Sequence, residues 1–163
     1  MKITDWLRLQ HREFRMLLRQ MQVAQHDPGP HGATELRGLL KRLLPLLRLH
    51  EAVEDGMLAP ALRGRMAGMD ETLRGIFSEG HEDLHEKLEH LEEALDMGTA
   101  PLSQFVAAVD FESLLEEHMT QEEAILFSLA DKVLDLRTQG ELGQRAEESL
   151  RKALGRPSQE IET

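Results

Sequence analysis

The sequence contains no cysteine, no tyrosine and no asparagine. Lack of cysteine rules out a disulfide framework, a zinc ribbon and a thiol nucleophile. Lack of asparagine removes any N-glycosylation acceptor, and lack of tyrosine closes one class of radical chemistry. Val and Ile together occur nine times against 29 Leu. Strands draw on β-branched and aromatic residues and helices on Leu, so an all-β or α/β fold is excluded. No apolar run approaches the roughly 18 residues that a membrane span needs. Met1 to Phe14 is charged and amphipathic, unlike an export signal, and the cytoplasm is the expected location. Positive charge is scarce: 19 Lys and Arg face 30 Asp and Glu, for a net charge of -11. That balance repels phosphate backbones and anionic lipid, so neither nucleic acid nor a membrane is an expected partner.

What is present is a 163-residue chain, 40% hydrophobic and 30% charged, suited to one globular core with a solvated surface. Pro and Gly clusters divide it into helical segments of similar length. The first is expected from Thr4 to Gln25, stopping at Asp27-Pro28-Gly29-Pro30. The second starts near Ala33 or Thr34 and runs to about Gly56, with Pro60 and the Gly64 region ending it. The third begins at Asp70 as N-cap and ends near Gly98. The fourth opens after Pro101 and continues to about Leu136. Four long helices with short connections predict an all-α, up-and-down four-helix bundle over 1–136. A further amphipathic helix is expected within 137–155. Its Glu141 to Leu154 stretch carries Leu142, Ala146, Leu150 and Ala153 on one side, and it would cover an edge of the bundle. Residues 156–163 are expected to form a flexible tail. Pro45 stands inside the second segment, which must either bend there or restart with Pro45 in its first turn.

Each long segment has an apolar seam spaced by three and four residues. The seams are Leu7, His11, Phe14, Leu18, Met21; Leu43, Leu47, His50, Glu54, Met57; Phe77, His81, Leu84, Leu88, Leu91; and Phe111, Leu115, His118, Glu122, Ile125, Leu129. Every seam is interrupted by His, and two of them by Glu one turn later. His85 follows His81 by one turn on the same face. A single buried His is ordinarily satisfied by a neighbour, but five His and two Glu on facing seams are too many for that account. Pairs such as His50/Glu54, His81/His85 and His118/Glu122 put two ligands a turn apart on one helical face. Imidazole with carboxylate suits iron, zinc, manganese or copper. One tetrahedral zinc needs only four ligands, so the surplus points to two metals. His90, half a helical turn from His81, and His26 and His31, beside the Pro-Gly connection, are read as surface histidines.

Four stretches, taken in order, resemble the hemerythrins and, more closely, the bacterial HHE cation-binding domains. They are Leu9-Gln10-His11-Arg12-Glu13-Phe14; His50-Glu51-Ala52-Val53-Glu54-Asp55 with Pro60 following; Gly80-His81-Glu82-Asp83-Leu84-His85; and His118-Met119-Thr120-Gln121-Glu122-Glu123 before Leu126-Phe127. Together they cover about residues 5 to 130. The resemblance implies a pair of iron ions with an oxo or hydroxo bridge. His81, His85 and His118 would hold one iron, His11 and His50 the other, with Glu54 and Glu122 bridging. Invertebrate hemerythrins place an Asp at the position of Glu123, HHE domains an acid at that of Glu122; helical phase favours Glu122.

The function implied is reversible binding of dioxygen, as carrier, store or sensor, in a pocket walled by Phe14, Phe77, Phe111, Leu47 and Leu84. The partner would be dioxygen or another small diatomic or peroxide ligand. The alternatives are an enzyme reducing peroxide or nitric oxide, with Glu51 or Glu123 as proton donor, and an iron-sensing or storage protein. HHE relatives that repair iron–sulfur centres rely on a Cys-bearing segment, which is missing here.

Overall fold

A computed structural model of the chain describes residues 1–27, 30–63, 65, 68–98 and 100–155. Pro28, Gly29, Gly64 and the expected tail 156–163 lie outside these. Among the described residues there are helices and no strands, as the Leu-rich composition requires. Five helical rods succeed one another: α1 (Ile3–Gln25), α2 (30–62), α3 (70–96), α4 (101–133) and α5 (Leu136–Ala153). The first four form the expected bundle, with α1 packed on α2 and α4, and α3 packed on α2 and α4. None of these helices is long and apolar enough to cross a membrane.

Helix boundaries obey local chemistry. α2 opens at Pro30, earlier than Ala33, because a proline in the first turn needs no donor and brings a helical φ. It then runs unbroken through Pro45. That ring is on the exposed face, where the Lys41 carbonyl it frees can be solvated. At the third helix Met69, not Asp70, occupies the cap, and Asp70 is the first helical residue. α5 opens at Leu136 instead of Glu141 because the Asp135 carboxylate accepts from the Thr138 amide at 2.8 Å.

α5 lies against α1 and α2. Gln139, buried on its inner face, donates to the Ala130 and Leu134 carbonyls and accepts from Thr4 Oγ1. Gly143 is required at the contact, since a Cβ there would stand 2.2 Å from the Met1 carbonyl oxygen.

Three of the rods change pitch. Residues Glu54–Leu58 in α2, Gly75–Glu79 in α3 and Glu122–Phe127 in α4 are π-helical, while backbone angles stay right-handed at every junction. Bonding from i to i+5 inserts one residue per turn and rotates the downstream part of the helix. The seams expected to continue through Met57 and Ile125 therefore slip by one position. Leu58 and Leu126 are fully buried, whereas Ile125 is 37% exposed.

The apolar core comes in two parts. One gathers Phe14, Leu18, Leu43, Leu84, Leu91 and Phe111 with their neighbours. The other gathers Ile3, Trp6, Leu58, Phe77, Leu126 and Phe127, and includes Leu142 and Ala146 of α5. On α1, α2 and α3 the break between the two falls at the seam histidine, and on α4 it falls at Glu122, between Met119 and Leu126.

Glu112, on α4 facing α1, is a buried acid away from that break. Gln25 Nε2 donates to it, but burial dominates and pushes its carboxyl from 4.5 up to about 7. Between those values the folded state keeps a proton that the unfolded chain has released, so stability falls as pH rises across that window. Glu112→Gln should therefore melt a few degrees above the parent at pH 8 (roughly 2–4 °C per kcal/mol at this chain length). The gain should vanish below pH 5. Thermal denaturation across pH 5–8 checks this, and a gain independent of pH would contradict it.

Candidate metal centre

Between the two apolar clusters, six side chains from four helices meet: His11 from α1, His50 and Glu54 from α2, His81 from α3, and His118 and Glu122 from α4. All are buried, and His11, Glu54 and Glu122 have no exposed surface. Their ligand atoms form two groups, each within 4.8 Å: Glu54, His81, His118, Glu122, and His11, His50, Glu122.

The carboxylates span both groups. Glu122 turns Oε1 to His118 Nε2 at 2.7 Å and to His81 Nε2 at 3.9 Å, and Oε2 to His11 Nε2 at 3.1 Å and His50 Nε2 at 3.7 Å. Glu54 turns Oε1 to His50 Nε2 at 3.4 Å and Oε2 to His81 Nε2 at 3.3 Å. These atoms are close without being aligned as hydrogen bonds. All four carboxylate oxygens, with His81 Nε2 and His118 Nε2, lack a hydrogen-bond partner. Two unpartnered carboxylates at zero exposure are expensive in a helix bundle. Lone pairs converging from imidazole and carboxylate fit one class of occupant, a metal cation.

Protonation in the absence of that cation points the same way. Burial opposes charge on His50, but the Glu54 charge and the nearness of Glu122 outweigh it and carry the imidazole up to about 10. His81 behaves alike: burial is overcome by Glu122 and Glu54, again to about 10. Burial would raise Glu122, yet His11, His118, His50 and His81 around it hold it well below the usual carboxylate range. Protons thus stand in for metal, and metal uptake must displace them.

The surroundings fix the ring orientations. His11 Nδ1 donates to Glu123 Oε1 at 2.8 Å, leaving Nε2 to face the centre. Arg15 holds the same Glu123 oxygen at 2.8 Å and Glu116 at 2.8 Å. Burial alone would raise the Glu123 carboxyl, but Arg15 and then His11 pull it below its ordinary value. The ring of Phe14 meets His50 edge-on with centroids 5.3 Å apart, and Phe127 lies 5.2 Å from His11.

His85, a ligand by resemblance, stands apart from the six. One turn beyond His81 it has rotated outward, its side chain is 49% exposed, and its Nε2 bonds Glu51 Oε2 at 2.9 Å. His90, His26 and His31 are exposed, as read from the sequence. Sequence reasoning missed the roles of Arg15, Phe127 and Gly80. A Cβ on Gly80 would come within 2.9 Å of His118 Nδ1 and 3.0 Å of its Cε1. The available signal was a glycine inside a helix, directly before His81.

An all-α bundle with a buried histidine and carboxylate cluster in its core defines a metal-binding class of protein. The chain belongs to the hemerythrin HHE cation-binding domain family, whose profile matches residues 2–130. No curated protein and no solved structure gives a significant match.

Gly80→Ala should push the His118 ring off its line and weaken metal retention at least tenfold, measured by competition with a chelator. Gly38→Ala, on the exposed face of α2 with no atom within 4 Å of the new Cβ, is the matched control. It should leave retention unchanged and stabilise the fold by up to about 1 kcal/mol. Equal retention in the two variants would refute the proposed crowding.

Proposed function

We propose that the chain is a non-haem di-iron protein that binds dioxygen reversibly, as carrier, store or sensor. The reading rests on one observation above others: Glu54 and Glu122 each direct one oxygen to either group of histidines. A single tetrahedral ion would need only four ligands, whereas a pair of ions uses both oxygens of both carboxylates. Iron is chosen from the metals that accept mixed imidazole and carboxylate donors. Glu54, His81, His118 and Glu122 would hold one ion, and His11 and His50, sharing the two carboxylates, the other. When bound, the metal pair supplies the electrons that dioxygen binding requires.

The protein's own residues favour binding over turnover. Phe14 and Phe127 pack against His50 and His11 and keep water from the half with fewer protein ligands. Glu123, the acid that the sequence offers as proton donor, is kept ionised by Arg15 and occupied by His11. It accepts hydrogen bonds and has no proton to give. A positioned general acid is typically worth roughly 10²- to 10⁴-fold in rate, and its removal suits a protein that returns its ligand intact.

Iron-loaded chain should contain two irons, lost together in His118→Ala and retained in His90→Ala, by elemental analysis. Dioxygen added to the reduced protein should give a visible absorption that disappears under argon and returns over repeated cycles. Rapid consumption of peroxide or nitric oxide, abolished in Glu123→Gln with both irons in place, would overturn this in favour of the enzyme.

A further inference from the structure

A cavity of about 480 Å³ opens to solvent between α2 and α3, and its wall includes His81. Glu51, Asp55, Glu82, Glu86 and Glu89 line it, and among the described residues no Lys or Arg does. The neighbouring cavity, about 610 Å³, is different: Arg63 and Arg74 stand in its wall. A cleft of one charge sign focuses the field and concentrates counter-ions, speeding association by roughly 10- to 10³-fold in a salt-dependent way.

Two buried groups that lack partners belong to this wall. Glu51 is 7% exposed; its Oε2 accepts from His85, while its Oε1 has no hydrogen-bond partner. His81 is 7% exposed, and its Nδ1, also without a hydrogen bond, lies 3.5 Å from Asp55 Oδ2. The core centre faces the other nitrogen of His81, and Glu51 lies outside its two groups of ligand atoms. A carboxylate oxygen held from water with no donor attracts a cation. Glu51 also joins the cavity wall to the centre along the chain: it comes directly after His50 and precedes Glu54 by three positions.

We propose that this vestibule is the loading route for the metal ion, with Glu51 and His85 as its transient capture pair. The inference rests on the metal-centre reading. The incoming divalent cation exchanges water for Glu51 Oε1 and the His85 imidazole as their mutual bond opens. It then passes inward to His81 and Glu54, and the Glu51–His85 bond re-forms behind it. His85 thus serves the entry of the ion and is not among the ligands that retain it.

The test is metal uptake by the chelated, full-length chain, with cobalt(II) as probe and its visible bands monitored by stopped flow. Wild-type chain should fill rapidly at 20 mM salt and markedly more slowly at 300 mM. Glu51→Gln and His85→Gln should reach the same final cobalt content and the same spectrum, at least tenfold more slowly at low salt. Glu86→Gln, at the exposed rim where folding is not at stake, should slow uptake about twofold. Wild-type rates in both Glu51→Gln and His85→Gln would overturn the loading route alone. A lower final cobalt content in His85→Gln would make His85 a retained ligand and also overturn it. A wild-type chain that takes up no cobalt would remove the metal-centre reading and the route together.

Discussion

Four carboxylate oxygens, from Glu54 and Glu122, are buried without hydrogen-bond partners at the middle of a Leu-packed bundle. Apolar packing on either side of them could be swapped for other apolar packing at modest cost, but this layer tolerates no such freedom. Unless a cation or protons neutralise it, it opposes folding by several kcal/mol for each charge. The surrounding arrangement answers that demand. Histidines from all four helices are turned inward, and the apolar core is interrupted only where they meet.

The π-helical segments are part of the same solution. Glu54 and Glu122 each open one, and a third ends one residue before Gly80, the neighbour of His81. A regular helix would carry the seam onward at a fixed phase, leaving the packing beyond each ligand set by the ligand's own direction. One extra residue uncouples the two. The ligand faces the centre, and the chain beyond it still buries Leu58 and Leu126. Irregular pitch at functional positions is a recurrent use of the π-helix, and here it reconciles a polar layer with an apolar bundle.

Around the six side chains the molecule treats its two sides differently. Toward α1 and α4, Arg15 and Glu123 hold His11 in one tautomer, and aromatic rings close the space around it. Toward α2 and α3, the wall is acidic and reaches solvent. In the proposed reading, the first side sets what the centre does with a ligand, and the second admits the cation. Glu51 and Glu123 would be grouped by sequence alone as two acids next to ligands. Their partners, His85 for one and Arg15 with His11 for the other, put them in separate networks.

Helix class, bundle architecture and the convergence of six His and Glu side chains were legible because they depend on local period. Spacings of three and four residues place His11 beside Phe14, or His118 beside Glu122, whatever the rest of the chain does. Turn chemistry was legible to within a few residues, with Pro30 and Asp135 moving two helix starts earlier than the apolar pattern alone suggested. The direction of His85 was not legible. Its position on the face of His81 allows either centre or solvent, and a carboxylate on another helix, Glu51, decides between them. The same holds for Gly80 under the His118 ring and for Arg15 on Glu123, 38 and 108 positions apart in sequence. Periodicity fixes the face of a helix that a residue occupies. Which atom it meets there depends on the neighbouring helices and their local pitch, and only the packed tertiary structure determines those.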